Sequence, residues 1–181
     1  MGTGMQSDTV YLIDFGLSKE YRDPNTYKHI PFKTNIGLTG TASFASINSH
    51  LGLELGRRDD LESLAYVLIY FLRGDLPWLG LSSEPRNILK RKQRTKSSTL
   101  CRGLPAEFAT FLEYSRSLSF EAIPDYRYVS GLFKGLSSLR EGLEIGAFDW
   151  DRAKSADDVP PRRVSDLGQR KRNEPQKRRE G

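Results

Sequence analysis

Between Leu61 and Leu72 the sequence leaves almost no polar side to a helix. Leu61, Leu64, Ala65, Val67, Leu68, Ile69, Phe71 and Leu72 fall round nearly the whole circumference. A helix apolar on all sides is a central one, covered by its neighbours. Two carboxylates, Asp59 and Asp60, stand at its start, where the positive end of the helix dipole favours them. Gly74 and then Pro77 stop it. The chain must surround this segment, which predicts a mainly α fold with helices on several sides of it.

Candidate covers follow. Pro105 opens a second helix with Phe108, Phe111, Leu112 and Leu118 at helical spacing, and Pro124-Asp125 opens a third with Tyr126, Val129, Leu132, Phe133 and Leu136 as its apolar face. Between them and the central helix, residues 82–99 are basic and Ser-rich and read as an exposed loop or a mobile helix. Upstream, Thr9 to Ile13 are β-branched and aromatic enough for a short buried strand. From Gly16 to Leu55 no period is sustained; a loop of that length inside a domain is usually functional.

Composition narrows the class. A chain of 181 residues suits one domain. No apolar run approaches the ~18 residues of a membrane helix, and residues 1–8 hold no apolar run for a signal peptide. The lone Cys101 excludes an intrachain disulfide and a structural zinc site, so a cytoplasmic or nuclear location is expected. The net charge of +5 is concentrated at the end: residues 151–181 carry ten Lys/Arg against six Asp/Glu, residues 1–150 eighteen against seventeen. With Pro160, Pro161 and Pro175 and no apolar period, residues 151–181 read as a disordered basic tail. Within it Arg162 and Arg163 precede Ser165, a pattern suited to phosphorylation.

Three motifs carry chemistry. Asp14-Phe15-Gly16 follows the predicted strand, and a carboxylate at a strand end can hold a Mg2+ that bridges nucleotide phosphates. A strand that merely ends in an Asx turn explains the same triplet. Leu38 to Asn48 lies about 25 residues on, where a protein kinase ends its activation segment. Arg57 to Leu64 then opens the apolar helix. For Thr41 an ordinary loop hydroxyl, and for Asp60 a solvated helix-start charge, remain open.

Taken together, these residues resemble the C-terminal lobe of the casein kinase 1 family of serine/threonine protein kinases. The match includes residues 10–23, 29–31, 38–41, 45–48, 57–64, 76–80, 100–103, 105, 107–109, 124–126 and 148–150, thus about residues 1–150. Ser46-Ile47-Asn48 stands where most protein kinases have Ala-Pro-Glu, as in this family. The resemblance implies a partial kinase C-lobe: a short hairpin, a long activation segment, then helices. By it Asp14 is the metal-binding aspartate, and Ile13, Phe15 and Gly16 complete the cofactor-binding turn. Ile13 floors the nucleotide pocket. Thr41 contacts the catalytic aspartate and substrate hydroxyl, and Leu38, Thr39 and Gly40 form the ledge beside the phosphoacceptor. Asp60 is the buried anchor of the catalytic loop, and Lys19 is one cation of a phosphate-binding pocket. Ile36 and Ser43 replace the lysine and arginine usual there.

Other family parts are not found in the 181 residues. There is no G-x-G-x-x-G loop, no phosphate-binding lysine strand and no H-R-D-x-x-x-x-N loop. Met1-Gly2-Thr3-Gly4 resembles the family's turn just before the DFG strand, so a truncated gene product, inactive alone, is expected. ATP and Mg2+ belong to the full-length parent, with none expected on this chain. Partners are protein substrates or other kinases. The alternative is a non-catalytic, kinase-like interaction module. Lys90, Arg91, Lys92 and Arg94 resemble the family's basic segment and also read as a solvated face; with no aromatic between Arg86 and Lys96 to stack on bases, nucleic acid is disfavoured. The tail clusters 170–172 and 177–179 fit nuclear import. Without the helices that precede the DFG in this family, one side of the apolar helix is expected to face water.

Overall fold

The computed structural model describes Gly2, residues 9–81 and residues 84–138. The described chain is mainly helical, in the order α1 (Ile47–His50), α2 (Arg57–Arg73), α3 (Pro85–Arg94), α4 (Ser97–Leu100), α5 (Ala106–Ser117) and α6 (Tyr126–Ser138). The central helix begins two residues before the paired carboxylates. Gly56 is its N-cap, and the Asp59 carboxylate reaches back to accept the Gly56 N–H at 2.8 Å, satisfying one of the unpaired donors of a helix start. A side chain at Gly56 would meet the Phe120 carbonyl at 2.9 Å, so the close approach of the 118–121 turn requires glycine there. At the other end Gly74 takes φ 74° and donates to Tyr70 O at 2.7 Å, the left-handed close that glycine adopts without strain.

The core forms along one side of α2. Leu61, Ala65, Tyr66 and Ile69 are buried with Leu76 and Trp78 of the following turn, Ile88 of α3, Leu100 of α4, and Phe111 and Leu112 of α5. Tyr66 and Trp78 meet edge to face at 5.1 Å, and Phe133 brings α6 onto α5 by edge contacts with Phe108 and Phe111 at 5.2 and 5.5 Å. Each such buried side chain contributes ~1.5–3 kcal/mol. A polar knot crosses this core: Tyr66 Oη donates to Glu62 Oε1 at 2.5 Å, and Arg116 donates to Tyr66 Oη at 2.8 Å and to Glu62 Oε1 at 3.2 Å. Burial, then the Glu62 charge, holds the Tyr66 phenol well above its ordinary pKa.

The second and third helices stand where their prolines and apolar spacing predict them. No described residue pairs with residues 9–13 as a strand, and residues 3–8, the other arm of the expected hairpin, lie outside the described residues. Leu12 and Ile13 are each 83% exposed, so this segment is not buried as expected, and the Gly2 N–H donates to Thr9 O at 2.9 Å. Among the described residues there are two isolated bridges, Arg22–His29 and Thr34–Leu53. The central helix is buried along one side, and on the other, the side expected to face water, Leu64, Phe71 and Leu72 are exposed. Helices α3 and α4 occupy most of residues 85–100, and the basic run is not wholly solvated, since Lys92 is 0% exposed. The expected start turn at Met1 and Gly4, the Phe148–Trp150 segment, the tail with Ser165 and its basic clusters all lie outside the described residues.

Candidate functional site

Asp14 adopts φ 65°, a left-handed conformation that aspartate tolerates better than most residues. Its Oδ1 accepts the Gly16 N–H at 3.2 Å, closing an Asx-type turn. Ile13 and Phe15 on either side are exposed, so neither a pocket floor nor a packed phenylalanine exists among the described residues. A Mg2+ that bridges phosphates takes one or two carboxylates, with phosphate oxygens and water completing its shell. This segment offers one carboxylate and no wall. Among the described residues no group of three His, Cys, Asp or Glu is arranged to hold a metal ion.

Downstream, Lys19 forms an ion pair with the buried carboxylate of Glu54. The cation expected in a phosphate pocket is thus paired with Glu54, while the Lys19 side chain stays about half exposed. Ile36 is half-buried and donates its N–H to Gly52 O at 2.9 Å.

The loop from Leu38 to Ala45 is fixed from several sides. The Ser49 hydroxyl of α1 accepts Thr39 N–H at 3.2 Å and lies 3.1 Å from Thr39 O, to which it donates. Gly40 turns the chain at φ 87°. The Thr41 carbonyl accepts the N–H groups of Phe44 and Ala45, both at 2.9 Å, while Thr41 itself is exposed. Leu38 and Gly40 are also exposed, and Thr39 half-buried. These four residues thus form one continuous, mostly open edge.

Behind that edge, the second and third motifs meet. Asp59 is buried, and its Oδ1 accepts Ser46 Oγ–H at 2.8 Å and Asn48 Nδ2–H at 2.9 Å, while Oδ2 accepts Gly56 N–H at 2.8 Å. The Ser46 hydroxyl in turn accepts Ser49 N–H at 3.1 Å and caps α1. Ser46 and Asn48 are two of the three residues that stand in place of Ala-Pro-Glu. Asp60, expected to be the buried member of the pair, is exposed, and Asp59 makes the buried bonds. The reason is helical geometry: the Asp59 side chain turns back toward the N-cap and α1, and Asp60, more than a quarter of a circle away, looks outward. Crowding of the Asp60 carboxyl by protein, then the Asp59 charge, raises its pKa above the ordinary value, against the pull of Lys19. Asp60 heads the exposed stripe of Leu64, Phe71 and Leu72 on α2.

The residue that sequence reasoning missed is Lys92. Its ammonium donates to Ala42 O at 2.9 Å and Ala45 O at 2.6 Å, lies 3.3 Å from His50 Nε2, and sits 4.8 and 5.3 Å from the ring centres of Tyr66 and Trp78. Trp78 Nε1 donates to Ser43 O at 2.8 Å between them. The signal was present in the spacing: Lys92 is four residues after Ile88 and shares its buried face. Lys90, Arg91 and Arg94 point outward as expected. No family model matches the chain. Among the described residues, no helix is long and apolar enough to cross a membrane.

Proposed function

We propose that this chain is the C-terminal part of a protein serine/threonine kinase lobe of the casein kinase 1 type, which in its complete form moves the ATP γ-phosphate to protein hydroxyls. One observation carries the reading. The motif at 45–48 and the motif at 57–64, separated in sequence, are tied together by the buried Asp59, and this tie backs an open edge, Leu38–Thr41, where the family presents its phosphoacceptor. The exposed stripe of α2 supports it further, because a kinase lobe covers that side with helices that precede the DFG. In this reading Asp14 is a metal ligand, Thr41 and Asp60 face the catalytic loop, and Lys19 has exchanged phosphate binding for its pair with Glu54.

ATP and Mg2+ belong to the complete lobe. The 181 residues contain no glycine-rich loop, nucleotide lysine or H-R-D loop, and alone they transfer no phosphate. Protein substrates or partner kinases and a cytoplasmic or nuclear location go with the reading. Nucleic acid does not, since the exposed cations of α3 have no aromatic neighbours between Arg86 and Lys96. The exposed α2 stripe also suits the alternative, a kinase-like module that binds partners without catalysis.

Fusion decides between them. The upstream segment of an active casein kinase 1 protein, ending before its DFG strand, is joined to residue 9 of this chain and assayed with casein. Phosphate transfer that Asp14→Ala abolishes is expected. A folded, monomeric fusion without transfer would overturn the kinase reading in favour of the module.

A further inference from the structure

A fully buried lysine without a carboxylate partner at hydrogen-bond distance is a costly element. Lys92 has none. Its donors go to two backbone carbonyls, Ala42 O at 2.9 Å and Ala45 O at 2.6 Å, and its charge rests between the faces of Tyr66 and Trp78. Ala42 O also faces His50 Nε2 at 2.9 Å, and Ser43 O receives the Trp78 indole. Three of the four carbonyls from Ala42 to Ala45 are thus gripped by side chains from α1, α3 and the turn after α2. No other described contact ties α3 to this loop so directly.

We propose that Lys92 is a positioning residue: from inside the fold it latches the loop that carries Leu38, Thr39, Gly40 and Thr41 to α3, so that the open edge keeps its shape only while the latch is closed. The purpose assigned to the loop rests on the kinase reading; the latch itself does not.

The latch is proton-linked. The groups facing Lys92 are His50 from α1, Glu62 and Tyr66 from α2, and Arg116 from α5. Burial brings the Lys92 pKa down to about 7 from 10.5, Glu62 opposing and Arg116 assisting. Burial, and then the Lys92 charge, lowers that of His50 as well, with the Ala42 carbonyl opposing. An opened loop returns Lys92 to water and to its ordinary pKa. Closing therefore releases a proton between about pH 7 and 10.5, and rising pH favours the closed latch in that window. Below about 7 both states keep the Lys92 proton. Further acidification loads His50 more readily in the open state and loosens the latch again.

Amide hydrogen exchange on the full 181-residue chain reads this directly, because Thr39, Phe44 and Ala45 hold loop amides in hydrogen bonds. Amides of α5 serve as the reference. After correction for intrinsic base catalysis, loop opening in the wild type should fall up to about tenfold per pH unit above pH 7, the limit for one linked proton. In Lys92→Met, loop opening should become pH-independent over that range and at least about tenfold more populated at pH 9, with α5 unchanged. Equal loop protection in both proteins would overturn the proposal, as would wild-type opening without pH dependence above pH 7. If the variant does not fold, the wild-type profile alone decides. Kinase activity does not enter the measurement, so the latch and the kinase reading fail separately.

Discussion

Asp59 and Asp60 are neighbours of the same type with opposite environments, and this decides what each does for stability. Asp59 is an acceptor for Ser46, Asn48 and Gly56, and its loss strands donors in the interior. Asp59→Ala should cost roughly 2–4 kcal/mol, read from the urea midpoint of the helical signal. Asp60 does the reverse. Its pKa is raised in the folded chain, so the unfolded chain holds fewer protons from about pH 4 upward and the ionised group opposes folding there. Asp60→Asn should raise the midpoint at pH 7 and leave it nearly unchanged at pH 3.5; an equal gain at both would show that the carboxyl's charge is not the cause. The sequence identifies this acidic pair as important without telling which member is buried. The choice depends on α1 docking against the N-terminus of α2, a contact between segments whose spacing alone carries no direction. Lys92 was hidden for a related reason: among five cations in nine residues, only its register with Ile88 marks it as interior.

The helices were the legible elements. Proline and glycine punctuate them, and the apolar period of α2, α5 and α6 survives in the fold. The burial expected of residues 9–13 was not legible, because β propensity reports a fit to whatever surrounds the segment, and Leu12 and Ile13 are exposed. The extent of the central helix's burial was half legible: composition shows an apolar circumference, whereas coverage depends on which helices are at hand. Its two sides should respond differently to substitution. Phe111→Ala opposite the buried side should cost ~3–5 kcal/mol through the cavity it leaves. Phe71, 73% exposed, should tolerate Phe71→Glu together with Leu64→Glu within about 0.5 kcal/mol each, and the pair should lower the binding of a hydrophobic dye. A large loss of helical stability in the pair would mean that this side is covered.

At the scale of the whole molecule, the chain has a core on one side of α2 and an apolar stripe on the other, with a second apolar run at Val10, Leu12, Ile13, Phe15 and Leu17 exposed to water. Each uncovered large side chain forgoes ~1.5–3 kcal/mol of burial. The three exposed residues of α2 alone forfeit roughly 4–9 kcal/mol, comparable with the stability of an ordinary domain, ~5–15 kcal/mol. That deficit is the physical content of the proposal that the chain belongs to a larger kinase lobe. Its most direct test is the unfolding of the 181-residue chain alone beside the same chain fused to the upstream kinase segment. The fusion should be monomeric, exclude hydrophobic dye and unfold in one reversible transition, while the chain alone binds dye and unfolds broadly or aggregates. A monomeric 181-residue chain with a sharp, reversible two-state transition would contradict the account.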